Sequence, residues 1–250
     1  MKYCVDLHTH TIASDHAYST IAEYARQAQS CGIKMFATTD HGPDLSDAPH
    51  LWHFNNLKVV PRLIDGVAVL RGIEANITAQ GGIDIPKRTR DGLDIILAGF
   101  HPNLAPQNEA EHTRLLLEII RSGEVDVITH PGSVNYPFDY ERVLLCAKEY
   151  GVAIEINSSS DVNTRRGSYE NCVKIAKMAK KIGNIIALGT DAHICYYLGN
   201  FAHSQMVLDE AQIEEDQILN TSPLKILDFL ESRGHRRIDE LRDCFEKGGF

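Results

Sequence analysis

The sequence predicts an α/β protein built on a closed or nearly closed barrel of parallel strands. Three observations lead there. Short apolar, β-branched runs recur along the 250 residues and alternate with helical patterns, the order expected of a parallel sheet clothed in helices. Seven such runs fit one barrel, whereas no Gly-x-Gly-x-x-Gly turn follows a strand as a doubly wound, dinucleotide-binding sheet would have it. The histidines and acids gather where the predicted strands end, and in a parallel barrel all those ends share one rim.

The expected strands are residues 3–8, 34–39, 67–73, 93–100, 125–129, 153–156 and 185–189, each the length of a buried parallel strand. Helical periodicity fills residues 19–31, 109–122, 140–150, 169–182 and 223–232. In the first of these, Ile21, Tyr24, Ala25 and Ala28 form one apolar face. Gly32 and Gly183 stand where a helix ends in a left-handed glycine, and Ser222-Pro223 reads as an N-cap followed by Pro at the first helical position. Residues 1–250 are expected to form a single domain, with 233–250 a charged peripheral tail.

Composition removes several function classes. Hydrophobic residues make up 43% and charged residues 24%, which excludes a disordered or low-complexity chain. No run of 18 apolar residues marks a membrane span. Asp6, His8 and His10 interrupt the first apolar stretch, so no signal peptide is expected. The six cysteines form no Cys-x-x-Cys pair and read as reduced thiols in a cytoplasmic protein. A net charge of −9 argues against a nucleic-acid partner, which needs a basic face. A homo-oligomer is compatible with this composition.

Twelve histidines are an unusual number for this length. His8 closes the first strand and His10 follows two residues later, with His16 in the loop beyond. His41 follows the second strand, Glu74 the third, His101 the fourth, His130 the fifth, and Asp191 and His193 the seventh. Six of seven strands thus deliver a metal-capable side chain to the same rim. The His-x-His and Asp-x-His spacings put both side chains on one side of an extended backbone. Nine donors exceed the four or so that one zinc takes and suit two or three ions. Imidazole-rich sets favour zinc, iron, manganese or nickel over magnesium or calcium. A lone histidine at a strand end is more often a packed or capping residue, but six strand ends so furnished are not a chance pattern. His50, His53, His112, His203 and His235 are read as ordinary histidines, His50 and His53 near the pocket mouth and His112 solvated on a helix.

The residues Asp6-Leu7-His8-Thr9-His10, Asp15-His16, Thr39-Asp40-His41-Gly42, Arg71-Gly72-Ile73-Glu74-Ala75-Asn76, Gly99-Phe100-His101, His130-Pro131-Gly132 and Gly189-Thr190-Asp191-Ala192-His193 resemble, in order, the motifs of the PHP (polymerase and histidinol phosphatase) domain. The likeness runs from about residue 3 to 231 and is nearest to the YcdX-like phosphatase branch, through His16-Ala17-Tyr18-Ser19-Thr20 and Phe229-Leu230-Glu231-Ser232-Arg233-Gly234. It implies a distorted (β/α)7 barrel, similar to a TIM barrel, with three divalent ions at the carboxyl ends of the strands, usually Zn2+ and alternatively Mn2+ or Fe2+. By resemblance, one ion would be held by His8, His10, Glu74 and Asp191. A second would be held by Glu74, His101 and His130, and a third by His16, His41 and His193.

Such a centre would stay positive and attract a small phosphorylated substrate, and metal-bound hydroxide would attack a phosphate monoester. The sixth strand brings no ligand, but Arg165 or Arg166 beyond it could clamp the phosphate, Arg165 being preferred by resemblance. Asp15 and Asp40 are candidates for orienting imidazoles, and Asp6 for the same role or for holding a strand edge. Asn76 is assigned to substrate contact or to a turn cap. The competing readings are a phosphodiesterase or exonuclease of the same family and a metal-loaded regulatory module without turnover.

Overall fold

The computed structural model describes residues 2–162 and 165–247. Seven strands run parallel in the order β1 (Val5–Asp6), β2 (Met35–Thr38), β4 (Val67–Asn76), β5 (Ile95–Gly99), β6 (Val127–Ile128), β7 (Ala153–Asn157) and β8 (Ile186–Gly189). The short strand β3 (Leu63–Ile64) lies antiparallel on β4. The helices are α1 (Ile21–Cys31), α2 (Trp52–Asn56), α3 (Lys87–Arg90), α4 (Glu109–Ser122), α5 (Tyr140–Tyr150), α6 (Tyr169–Ile182), α7 (Ala202–Ala211), α8 (Pro223–Ser232) and α9 (Asp239–Glu246). This is the near-closed barrel expected from the alternating pattern. Among the described residues no helix is long and apolar enough to cross a membrane.

Residue parity along each strand divides the core. Met35 and Ala37, Ala68 and Leu70, Ile95 and Leu97, Val127, Ala153 and Ala187 point into the barrel and pack on Ile226, Phe229 and Leu230 of α8 and Leu241 of α9, which plug its amino-terminal end. Their alternates Phe36, Val67 and Val69, Ala98, Ile128, Ile154 and Ile186 pack outward under α1, α4, α5, α6 and α7. Burying each such Leu, Ile, Val or Phe side chain contributes about 1.5–3 kcal/mol. The same parity carries Glu74, four residues beyond Leu70, and Glu155, two beyond Ala153, into the barrel mouth.

Local chemistry fixes the helix ends. Thr20 and Glu23 form a reciprocal capping box at α1, and Gly32 closes that helix at φ +80°. Asn108, Asp139 and Ser222 accept backbone N–H groups at the starts of α4, α5 and α8, worth about 1 kcal/mol each.

The seam between β1 and β8 distorts the barrel. Near the rim it is backbone to backbone: Asp191 N–H donates to His8 O (2.9 Å) and His10 N–H to Ala192 O (2.9 Å). Asp6 reinforces it by accepting from Thr190 N–H and Oγ and from Gly199 N–H. Lower down, the amide of Asn220 stands between the strands. It donates to Val5 O and Leu188 O and accepts from Leu188 N–H.

The tail contributes α9, which packs Leu241 against α8; residues 248–250 of the expected tail lie outside the described residues.

Candidate metal centre

The nine residues singled out from the sequence meet at the carboxyl end of the barrel. Glu74 is at their middle and is 1% exposed. Its Oε1 lies 2.7 Å from His130 Nε2, 3.1 Å from His101 Nε2 and 3.2 Å from His8 Nε2. Its Oε2 lies 3.0 Å from His41 Nδ1 and 3.5 Å from His10 Nε2. Asp191 Oδ1 is 3.1 Å from His10 Nε2 and 3.7 Å from His8 Nε2. The imidazoles of His16 and His193 stack at 4.4 Å, and those of His10 and His193 at 4.3 Å.

These contacts exceed what hydrogen bonding uses. A carboxylate offers about four acceptor positions, and Glu74 already accepts from His130 and from Thr129 Oγ. His101 Nε2, His41 Nδ1 and Glu74 Oε2 are buried without hydrogen-bond geometry, as are His10 Nδ1 and His193 Nε2. His8 Nε2 and His10 Nε2 face each other at 3.1 Å. Buried polar atoms left in this state cost free energy. Divalent cations among them would satisfy several at once, so the donor set fits a metal group.

The local fields agree. Burial would raise Glu74, but the charges of His8 and His101, with the hydrogen bond from His130, hold it well below the usual carboxylate range. Burial opposes protonation of His8 too, yet Glu74, Glu155 and Asp191 hold it well above an ordinary histidine. Burial and the neighbouring His41 push His10 well below. Burial and Arg165 lower His130 to about 4.

A family model, the PHP domain, matches residues 6–250. The chain belongs to the PHP domain family. A protein of Shewanella pealeana named a probable phosphatase is 52% identical over 248 residues, covering 98% of this chain and 100% of its own. One of Aeromonas salmonicida with the same name is 52% identical over 245 residues, covering 97% and 100%. Among solved structures, the histidinol phosphate phosphatase of Lactococcus lactis, complexed with zinc, L-histidinol and phosphate, aligns with a TM-score of 0.59 at 14% identity, over 85% of this chain and 95% of that one. That last likeness is one of fold.

Among the described residues of this PHP domain, four overlapping triads of donor atoms occur: His8, His10 and Asp191; His41, Glu74 and His101; His10, His41 and His193; and His16, His41 and Asp47. The first falls within the set implied for one ion. The others share His41, and the last includes Asp47, which the sequence did not single out. His16 is the most exposed of the nine, its side chain 55% accessible, and its Nδ1 sits 2.5 Å from Asp47 Oδ2. Asp15 is exposed and uses its backbone N–H on Asp47 O, so the carboxylate beside His16 is that of Asp47. Arg165 is ion-paired to Asp191, which places its guanidinium in the centre.

Asp40 accepts from Thr11 N–H, Thr11 Oγ and Ser14 Oγ and lies 3.1 Å from His53 Nε2. It therefore organises the loop that carries His10 and His16. Asn76 donates to Gly42 O and to Asp84, the turn-capping alternative of its two expectations. His112 corrects the sequence reading. It is fully buried, donating from Nδ1 to Pro137 O and accepting Gln107 N–H at Nε2. It faces inward because α4 turns that side toward Phe100 and Tyr136.

The sixth strand is expected to bring no ligand, yet its Glu155 touches His8 and His130. A charge inside the apolar run Ala153-Ile154-Glu155-Ile156 was the signal that could have found it. Asp47 is one of several acids in a polar loop, and nothing in the sequence separates it from Asp44.

Proposed function

We propose that this PHP domain is a phosphatase that hydrolyses phosphate monoesters at a centre of three divalent ions, zinc first among the candidates and manganese or iron the alternatives. The observation that carries the reading is the convergence of His8, His10, His41, His101 and His130 on the single carboxylate of Glu74. His16, His193 and Asp191 complete the set. The names and full-length identity of the relatives support the reaction class.

Divalent ions bound here would acidify a water molecule and neutralise charge on the phosphoryl oxygens. The chain's own residues do the rest. The donors are mostly neutral imidazole with only two carboxylates, so the mouth keeps positive charge for a phosphate dianion despite the net charge of −9. Arg165 turns part of its planar guanidinium from Asp191 to the phosphate and fixes its orientation. Tyr18, Trp52, Tyr196 and Tyr197, 71%, 75%, 76% and 60% exposed on the connections that follow β1, β2 and β8, with Trp52 opening α2, offer apolar surface to the organic half of the ester. The substrate is a small phosphorylated molecule, and the assigned compartment is the cytoplasm.

The test is hydrolysis of p-nitrophenyl phosphate against bis(p-nitrophenyl) phosphate by metal-analysed protein. Monoester turnover that disappears on chelation and returns with zinc or manganese is expected. Preference for the diester would make the protein a phosphodiesterase. Full metal without turnover on a broad panel of phosphate esters would make it a binding module.

A further inference from the structure

Strand β7 gives no member of the nine-residue set, yet its Glu155 lies against two of them. The residue is 2% exposed. Its Oε1 is 2.7 Å from His8 Nδ1, and its Oε2 accepts the backbone N–H of His130 at 2.7 Å and Asn157 Nδ2 at 3.1 Å. The neighbouring strand β8 is cut away to admit it: a Cβ on Gly189 would run into Glu155 Oε1 and the Cβ of His8. His130, whose N–H it holds, has φ +30°, outside the range that non-glycine residues favour.

We propose that Glu155 is the positioning residue of the metal centre, acting through His8 and His130 at once. This deepens the metal-centre reading and rests on it. By accepting Nδ1–H, Glu155 turns the Nε2 atom of His8 toward His10, Glu74 and Asp191, where a cation displaces any proton Nε2 carries. By accepting the His130 N–H, it holds the backbone turn that lays the His130 imidazole on Glu74. The two roles together suit a carboxylate and nothing else of its size, because both oxygens must accept. A glutamine has one acceptor and one NH2. If its oxygen stays on His8, the NH2 confronts the His130 N–H. If it is reversed, the NH2 confronts His8 Nδ1–H, and the imidazole must move that proton to Nε2, which then points at His10 instead of offering a lone pair.

The experiment compares wild type with Glu155→Gln. Zinc affinity is measured by competition with a chelator, and the zinc-loaded, 15N-histidine-labelled protein is read by NMR. In the wild type, His8 should carry its proton on Nδ1 and zinc on Nε2. In Glu155→Gln the tightest zinc class should weaken about 10- to 100-fold, the range for residues that orient a ligating histidine, while far-ultraviolet circular dichroism matches the wild type. Gly189→Ala, which pushes on the same pair without changing charge, should weaken the same class. If wild type binds no zinc, the metal-centre reading fails. If wild type binds zinc through His8 Nδ1, or the glutamine variant keeps wild-type affinity, the role of Glu155 fails while the centre stands. The wild-type spectrum decides even if neither variant folds.

Discussion

The two ends of this barrel treat charge in opposite ways. At the carboxyl end, like groups are pressed together. His10 has its ring centroid 4.2 Å from that of His41, and five imidazoles surround one carboxylate. His130 and Asp191 hold positive φ, a backbone state that costs of order 1 kcal/mol or more each. At the amino end, opposite groups are matched. Arg62 forks onto Asp94, whose carboxylate also accepts Arg71 N–H. Arg242 joins Glu231 and Asp228, and His235 joins Asp126. The mouth is built for a guest and is unfavourable by itself, whereas the floor is self-sufficient and holds the strands that keep the mouth in register. A barrel can carry so poorly satisfied a rim because its stability is supplied elsewhere.

The sharpest break of that contrast is Glu74→Gln. It removes the one carboxylate shared by both sides of the mouth, so bound metal and p-nitrophenyl phosphate turnover should fall by more than the 10- to 100-fold typical of supporting residues. Thermal stability of the metal-free protein should hold or rise. Retained metal and turnover would show that the centre is not organised about Glu74. Next comes Asp94→Ala on the floor, which leaves Arg62 without its partner. Breaking a fully buried pair costs about 3 kcal/mol and this one is part-buried, so the urea midpoint should drop by less than that cost implies while kcat per folded, metal-loaded molecule stays put. A fall in kcat instead would mean that the two ends are coupled.

The smallest effect is a pH dependence. Burial opposes charging His235, but the hydrogen bond and charge of Asp126 outweigh it and raise its pKa. Its contribution is therefore complete below the unfolded value of about 6.5 and is lost as pH rises through the raised folded value. With the side chain 20% exposed, the term is roughly 1 kcal/mol or less. The difference in Tm between wild type and His235→Ala should be larger at pH 6 than at pH 9. A gap that widens with pH would overturn the assignment.

Much of this contrast was legible in the residues, but unevenly. The strand series and the rim position of its histidines followed from apolar runs that end in His, Asp or Glu. Their lengths did not follow. β4 extends through Asn76, taking Glu74 into the ladder, because it pairs with both β2 and β5, while β1 keeps only Val5 and Asp6 in its pairing with β2. β3 is two residues long, too short for periodicity to register. α7 went unread because it has no side-chain N-cap and its Met206 is exposed beside buried Val207 and Leu208, which blurs a helical stripe. Partners that depend on which loops touch, such as Asp47 with His16, are set by tertiary geometry and leave no local mark.

The amide of Asn220 carries one more consequence. It ties residues near the start of the chain to a strand near residue 188, over sequence separations of 215 and 32, and it lies downstream of every donor in the set, the last of which is His193. On the ribosome, the nine donors and the rim bonds of the seam therefore emerge before the amide that braces the seam lower down. A nascent chain halted just past His193 should hold its first and last strands together by the rim bonds alone, and tight metal retention should arrive only once Asn220 and α8 have been added below them.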